Sequence, residues 1–372
     1  MKLTIERSAF LASLAHMQGV VERRTTIPIL SNVLLNARDG AVRMTATDMD
    51  LAIVETVPAD VTQEGATTVP AHTLYDIVRK LPEGAQIEIA SGGDQGQLAL
   101  RSGRSRLTLT TLPSEDFPVM AEGDLPFNFT LSAEAMRGVI DRTRFAMSTE
   151  ETRYYLNGLY LHAAKTDGKP TLRVVATDGH RLARVEISQP EGAEGMPGVI
   201  VPRKTVGEVR KLVDEVGGEV EVALSDTKIR FTCGPISLTS KLIDGTFPDY
   251  DRVIPYANDK KLEVDCKVFA KAVDLVSTIS TERSRAVKLT LNRGTLQLSA
   301  TSPESGSAVE EIEVDYSDGP IEIGFNARYL LDITQQIESE GAWFMLADAA
   351  SPTLVRGTAD TNAIYVLMPM RV

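Results

Sequence analysis

The chain has 372 residues, of which 43% are hydrophobic and 24% charged, and a net charge of −12. That length exceeds one ordinary core and predicts two or three domains, and the balance excludes a disordered chain. Two cysteines, Cys233 and Cys266, exclude a secreted disulfide scaffold, and the acidic charge excludes a protein that simply coats nucleic acid.

The N-terminal "MKLTIERSAF" lacks the apolar core of a signal peptide. No uncharged apolar run is long enough to span a bilayer, so a cytoplasmic protein without membrane contact is expected. "SAFLASLAHM" places Phe10, Leu11, Leu14 and Ala15 at helical spacing. "RRTTIPIL" at 23–30 sets two arginines in a loop before a buried strand, and "AVRMTATD" alternates as a half-exposed strand. A second helix is expected in "VPAHTLYDIVRKL" at 69–81, and "SGGDQGQ" at 91–97 reads as a hairpin loop. "AEGDLPFN" has linker composition. Next come a helix in "SAEAMRGVIDRTRF", with Ser132 as N-cap and Met136, Val139, Ile140 and Thr143 on one face, then "RYYLNG" at 153–158 and the strand "TLRVVATD". "VPRKTVGEVRKLV" at 201–213 is again helical, and "PYANDKK" suits a linker. The last third repeats the theme: "KVFAKAVDLV" with Phe269, Ala272, Val273 and Val276, the strand "TLQLSATS", the helix "FNARYLLDITQQI" at 325–337, and an apolar, Met-rich end, "YVLMPMRV".

These elements recur at a fixed period. Thr47, Thr177 and Thr301 each follow an alanine, 130 and 124 residues apart. The second helix of each set begins at intervals of 132 and 124, and Phe117-Pro and Phe247-Pro lie 130 apart. Three units of ordinary domain size follow: 1–122, 123–255 and 256–372. The class is α+β, each unit having helices packed on antiparallel strands. The units carry 11 basic against 15 acidic residues, 17 against 19, and 11 against 17. Every unit is acidic, so any DNA contact needs a local basic surface. The helices offer candidates in Arg7, His72, Arg79, Lys80, Arg137, Arg142, Arg144, Arg203, Lys204, Arg210, Lys211, Lys267, Lys271 and Arg328, although a solvated helix face explains any one of them.

Catalytic chemistry finds little footing. No phosphate-binding Gly-Lys-Ser/Thr loop, zinc-ligand spacing or nucleophile elbow is present, and no metal or cofactor is expected. "ATDGH" at 176–180 puts Asp178 near His180, and a hydrolase built on that pair is one alternative. Yet Asp-Gly is a turn signal, and the sibling stretches "ATDMD" and "ATSPE" lack the histidine. The frame recurs without the chemistry, so a scaffold loop adapted in the second copy is expected. Another alternative is a repeat-built interaction hub that never encircles DNA.

Several stretches together resemble the bacterial sliding clamps, the beta subunits of DNA polymerase III. They are "IPILSN" at 27–32, "LPEGA" at 81–85, "RSGRSR" at 101–106, "RYYLNG", "ATDGHRLA" at 176–183, "VPRK" at 201–204, "FPDY" at 247–250, "IGFNARYLLD" at 323–332 and "MPMR" at 368–371. The resemblance covers essentially the whole chain. It implies a non-catalytic processivity factor, a head-to-tail homodimeric ring whose helices line a hole for duplex DNA, held without regard to base sequence. Its implied partners are DNA polymerases and the clamp loader, whose short linear peptides enter a pocket between the second and third units. Carried over, the pocket wall is Leu156, Thr177, Gly179, His180, Arg181, Leu182, Pro248, Val253, Val366, Met368, Pro369, Met370 and Arg371. The implied DNA contacts are Arg24, Glu150, Tyr154 and Tyr155. His72-Thr73 stands where the family has a basic pair, and Glu150 where it has a neutral amide. The implied dimer joins the first unit to the third, for which the sequence offers Arg101, Arg104, Arg106, Leu107 and Leu109 against Thr278, Ile279, Glu304, Glu310, Glu311 and Glu313. Ser284 is smaller than the family's residue at that contact.

Overall fold

Alternating apolar and polar residues put more of the described chain into short strands than into helices, and six apolar stripes of helical period interrupt the strands. In the computed structural model, which describes residues 1–92, 96–121, 123–280 and 285–371, the same order recurs three times. First come β1 (Lys2–Glu6), α1 (Arg7–Val20), β2 (Asn32–Arg38), β3 (Ala41–Thr47), β4 (Leu51–Pro58), the short β5 (Asp60–Gln63), β6 (Gly65–Pro70), α2 (Ala71–Lys80), β7 (Gln86–Ser91), β8 (Gln97–Ser102) and β9 (Ser105–Thr110). Then follow β10 (Phe127–Ser132), α3 (Ala133–Arg144), β11 (Gly158–Thr166), β12 (Lys169–Thr177), β13 (Arg181–Ser188), β14 (Val199–Pro202), α4 (Arg203–Val216), β15 (Glu219–Leu224), β16 (Lys228–Cys233) and β17 (Ile236–Lys241). The last set is β18 (Lys260–Asp265), α5 (Cys266–Ser277), β19 (Ala286–Asn292), β20 (Thr295–Ser302), β21 (Gly306–Glu313), β22 (Ile321–Asn326), α6 (Ala327–Thr334), β23 (Gly341–Leu346), β24 (Thr353–Gly357) and β25 (Ala363–Leu367).

Local chemistry explains where the helices begin. The Glu6 carboxylate accepts from the Ser8 and Ala9 N–H groups at 2.8 and 3.0 Å, and Asp265 accepts from Lys267 and Val268, both at 2.9 Å. Ser132 caps α3 as expected, its hydroxyl accepting from the Ala135 N–H at 3.1 Å. The expected helix faces of α3 and α5 are buried: Met136, Val139, Ile140 and Thr143, and Phe269, Ala272, Val273 and Val276. On α1 Phe10 and Leu14 are buried but Leu11 and Ala15 only half so, because the buried stripe runs instead through Ser13, Met17 and Val20. The hairpin expected at 91–97 joins β7 to β8, although residues 93–95 lie outside the described ones.

The chain packs as two compact units. One comprises Met1–Arg137, Pro190–Met196 and Lys204–Leu242; the other comprises Gly138–Gln189, Pro197–Arg203 and Ile243–Val372. The first unit has a five-stranded sheet, β5-β1-β7-β8-β9, and an eight-stranded sheet, β10-β15-β16-β17-β4-β3-β2-β6. The second has an eight-stranded sheet, β14-β11-β12-β13-β25-β24-β23-β18, and a four-stranded sheet, β21-β20-β19-β22. Each eight-stranded sheet is therefore closed by strands far apart in sequence: Leu238 pairs with Ile53 on β4, and Leu182 pairs with Val366 on β25. Packing divides the chain differently from the repeat because backbone pairing continues from one repeat into the next.

Candidate functional sites

The loop "ATDGH" closes the hairpin between β12 and β13, and its polar groups serve the turn. Asp178 Oδ1 accepts from the His180 and Arg181 N–H groups at 2.9 and 3.0 Å, while Oδ2 pairs with Arg181 Nε at 3.1 Å. The Thr177 hydroxyl donates to the Arg181 carbonyl at 2.8 Å and accepts from the Gly179 N–H at 3.1 Å. The sibling loop is built alike. Thr47 donates to the Leu51 carbonyl, and Asp48 Oδ1 accepts from Asp50 and Leu51. In the third copy Ser302 accepts from the Glu304 and Ser305 N–H groups, both at 3.3 Å. With its carboxylate occupied by backbone and Arg181, Asp178 does not orient the His180 ring, and the catalytic alternative loses the group that would position its base. Gly179 sits at φ +88°, the left-handed region that glycine enters without steric cost. A Cβ there would also meet Arg153 Nη1, which donates to the Asp178 carbonyl.

The carried-over peptide-site residues all lie in the second compact unit. Arg181 and Leu182 begin β13 beside Leu367 and Val366 of β25, and the chain leaving β25 continues the contact: the Met368 N–H donates to the His180 carbonyl at 2.9 Å. Met370 donates to the Gly324 carbonyl at 2.8 Å, which ties the end of the chain, two residues after the His180 contact, to β22; Val372 lies outside the described residues. Leu156, Leu182 and Val366 belong to one buried cluster with Val175, Ile200, Phe247, Tyr250, Ile254, Leu354 and Ile364. Around it, His180, Pro248, Met368 and Arg371 are exposed, and Val253 presents half of its surface to solvent (51%). The apolar floor is thus covered in this structure, with adaptable methionine and valine at its rim.

Arg181 is a hub rather than an open contact. Only 8% exposed, it pairs with Asp332 Oδ2 at 2.5 Å, donates to the Phe145 carbonyl at 2.6 Å, and lies 4.2 Å from the centroid of the Tyr329 ring. Its planar fork is fixed on three sides, so it sets the start of β13.

Arg24 lies exposed in the loop after α1. Glu150 pairs with Arg153 at 3.3 Å, so its carboxylate is neutralised within its own turn. Tyr154 (53% exposed) meets Tyr155 edge to face at 5.7 Å in the 3-10 turn Glu151–Leu156. His72 is committed to structure, its Nε2–H donating to the Val21 carbonyl at 3.0 Å; Thr73 is exposed. Several basic helix residues are equally committed. Lys204 reaches Asp48 at 2.5 Å and the Val20 carbonyl at 2.9 Å. Arg203 donates to the Met147 and Ser148 carbonyls, and Arg142 pairs with Asp360 at 2.7 Å. The helix charge count therefore overstates what is available to phosphates.

The expected dimer residues stand on two sheet edges. β9 ends the five-stranded sheet, with Arg104 and Arg106 exposed and Leu107 and Leu109 half-buried opposite Leu100 and Leu98. β21 ends the four-stranded sheet, with Glu304 and Glu311 exposed and Glu310 half-buried. Beside β21 packs α5, followed by exposed Thr278 and half-buried Ile279; Ser284 lies outside the described residues. Sequence reasoning missed Leu275 (57% exposed) on α5 and Val309 (59%) on β21, which extend this apolar surface. The available signal was Leu275 falling outside the buried stripe of α5. Among the described residues no cluster of His, Cys, Asp or Glu could hold a metal ion, and no helix is long and apolar enough to cross a membrane.

Comparisons with known proteins agree along the whole chain. Models of the DNA polymerase III beta subunit match in three parts: the N-terminal domain over residues 1–121, the central domain over 130–249 and the C-terminal domain over 251–371. A beta sliding clamp of Caulobacter vibrioides is 54% identical over 372 residues, covering all of both chains. A crystal structure of the C. crescentus beta sliding clamp with PEG bound superposes with a TM-score of 0.98 at 54% identity, covering 100% of this chain and 99% of that one. A Bartonella birtlesii sliding clamp bound to griselimycin gives 0.97 at 51% identity, covering all of both chains.

Proposed function

The chain belongs to the family of DNA polymerase III beta subunits, and we propose that two copies close head to tail into a ring around duplex DNA. It is a sliding clamp, a processivity factor of DNA replication without catalytic activity of its own. DNA and DNA polymerase are its partners, and it forms dimers. In the proposed ring each chain contributes three clamp domains, 1–122, 123–255 and 256–372. Arg24, Tyr154 and Tyr155 would meet the DNA, with Glu150 held back by Arg153. A clamp loader places the ring on DNA, and the cytoplasm is its place of work.

The observation that carries the ring is the pair of edge strands. One chain owns both halves of a complementary contact: a basic edge at Arg106 on β9 with Arg104 in the turn before it, and an acidic edge at Glu310 and Glu311 on β21 with Glu304 in the turn before it. Two different surfaces on one chain favour a heterologous contact, which closes if the rotation allows. Topology then replaces affinity. Each sequence unit is acidic, so weak phosphate contacts suffice and sliding stays free. The test is retention. Protein placed by a clamp loader on circular DNA persists in high salt and leaves once the circle is cut; equal retention on cut DNA overturns the ring and favours a hub that binds without encircling.

The surface beside His180 and Met368 is the proposed peptide site, through which polymerases and the loader are held. Its support is that the strand leaving the 176–180 loop, the segment 247–254 and β25, which leads into the C-terminal end, share one apolar cluster. Binding energy at such sites concentrates in a few buried anchors, and the methionines can repack around different ones. His180→Glu with Met368→Ala abolishes binding of a polymerase-derived peptide and leaves the dimer and its melting temperature intact. Griselimycin, present on the Bartonella clamp, displaces that peptide from the native protein. Loss of stability with preserved binding rejects the site.

A further inference from the structure

The connector Phe247–Tyr256 supplies Pro248 and Val253 to the proposed peptide site, and it has no strand pairing to hold it there. Three of its side chains point inward: Phe247, Tyr250 and Ile254 are buried in the same cluster as Leu156, Leu182 and Val366. Phe247 stacks on Tyr160 with centroids 4.7 Å apart and planes 7° apart. An apolar plug of this kind fixes depth but not rotation.

Rotation is set by charge. Arg173 on β12 lies opposite Glu186 on β13, and Arg184 shares the face of Glu186 two residues away. Glu186 Oε1 pairs with Arg173 Nε and Arg184 Nη2, both at 2.9 Å, and its Oε2 accepts from Thr166 at 2.6 Å. The two arginines then reach the connector. Arg173 Nη1 donates to the Tyr250 hydroxyl at 3.2 Å and to Asp251 at 3.3 Å. Arg184 Nη1 donates to the Tyr256 hydroxyl at 2.7 Å and lies 3.7 Å from Asp251. His162 Nε2 meets the Tyr250 hydroxyl at 2.9 Å, and burial keeps this ring below its ordinary pKa, so it serves as a neutral partner.

We propose that Arg173, Arg184 and Glu186 form a polar grid that positions the connector, through Tyr250, Asp251 and Tyr256, as one wall of the peptide site. This rests on the peptide-site reading above. Stability alone does not explain the grid: Arg173, Arg184 and Glu186 have side chains only 9–12% exposed, and buried ion pairs are often matched or bettered by apolar residues of similar volume. What charges add is a unique geometry. The sibling copy supports the distinction. At the equivalent positions, 130 residues earlier, it keeps Arg43 but has Val54, Thr56 and Met120 in place of Arg184, Glu186 and Tyr250. There a groove lined by Arg43, Val54, Pro118 and Met120 remains. The fold therefore tolerates a connector without the grid, and the copy that carries His180 is the one that has it.

Full-length protein tests this with a fluorescein-labelled synthetic decapeptide bearing leucine and phenylalanine anchors, titrated by anisotropy alongside amide hydrogen exchange. Arg184→Met raises the peptide Kd by about tenfold, the effect of misplacing one anchor. Tyr250→Phe, which removes a single hydroxyl, weakens binding less, and Arg184→Lys recovers part of the loss. In each weakened variant the amides of residues 249–256 exchange faster while those of β11 to β13 do not. Native-like affinity in Arg184→Met and Tyr250→Phe overturns the proposal. So does faster exchange across the whole sheet, which would make the grid a general support. If the native protein fails to bind the decapeptide, the peptide-site reading itself falls and the grid loses its purpose with it.

Discussion

His16 on α1 carries a carboxylate at each ring nitrogen: Glu55 at 2.8 Å and Glu215 at 2.9 Å. Burial favours the neutral ring, but the two carboxylates outweigh it, and the pKa ends above the ordinary 6.5. A group whose folded pKa is raised contributes stability below its unfolded pKa and loses it as pH rises through the folded value. The melting temperature of the native protein therefore falls, relative to His16→Gln, as pH climbs from about 6.5 through that raised value. Calorimetry across this range checks it, and a difference that does not vary with pH rejects it. The turn loops offer a second residue-scale test. Gly179 and its counterpart Met49 both sit in the left-handed region, at φ +88° and +81°. Gly179→Ala destabilises by about 1–2 kcal/mol and displaces Arg153, whereas Met49→Gly is neutral or stabilising by up to about 1 kcal/mol. Chemical denaturation of both variants gives the sign. These turns were legible in the sequence because Asp-Gly and the recurring Ala-Thr marked them. The commitment of Asp178 to backbone was legible only through the sibling copies, and that of His72 to Val21 was not, because its partner lies 51 residues away.

Helices and strands were the most legible level. Ser132 as a cap and the buried stripes of α1, α3 and α5 follow from side-chain chemistry and period alone. Sheet edges were not legible, since an edge is defined by what fails to pair with it. A long exposed edge invites another chain, and the two edges here, β9 and β21, bear the arginines and glutamates expected to join the dimer. Reversing Arg104 and Arg106 to Glu sets like charges against Glu304, Glu310 and Glu311, at a cost of several kcal/mol, or about 100-fold or more in dimer Kd. Sedimentation then shows monomers at concentrations where the native protein is dimeric. An unchanged dimer removes these edges from the interface. Leu275→Asp tests the apolar part of the same surface: exposed in the single chain, it leaves the monomer's fold intact and weakens only association.

At the scale of the molecule, repeat and packing diverge for a reason visible in two strands. "RLARVEIS" reads as an alternating strand with Arg184 and Glu186 facing water, yet β13 is buried along nearly its whole length. Its cover comes from β25 on one edge and from the connector at 247–256 on its face, segments about 60 to 180 residues later in the chain. No local pattern announces such a partner. β17 is placed the same way, pairing with β4 through Ser237–Val54 and Thr239–Ala52. The middle sequence unit, 123–255, is therefore flanked by two strands whose partners lie outside it. Excised, it would expose the edges of β13 and β17 together, with β13 also apolar on both faces through Leu182, Ala183 and Val185. Edges of that kind pair with whatever strand is near. The isolated fragment 123–255 is thus expected to self-associate or stay unfolded, even though the repeat marks it as a unit. Fragments 1–242 and 138–371 each keep one eight-stranded sheet whole and expose only one of the two edges, β13 in the first and β17 in the second, so they retain more of their pairing and are expected to melt more cooperatively. Size-exclusion chromatography and thermal unfolding of the three fragments decide the matter. A monomeric, cooperatively melting 123–255 would show that the repeat, and not the shared sheet, is the folding unit.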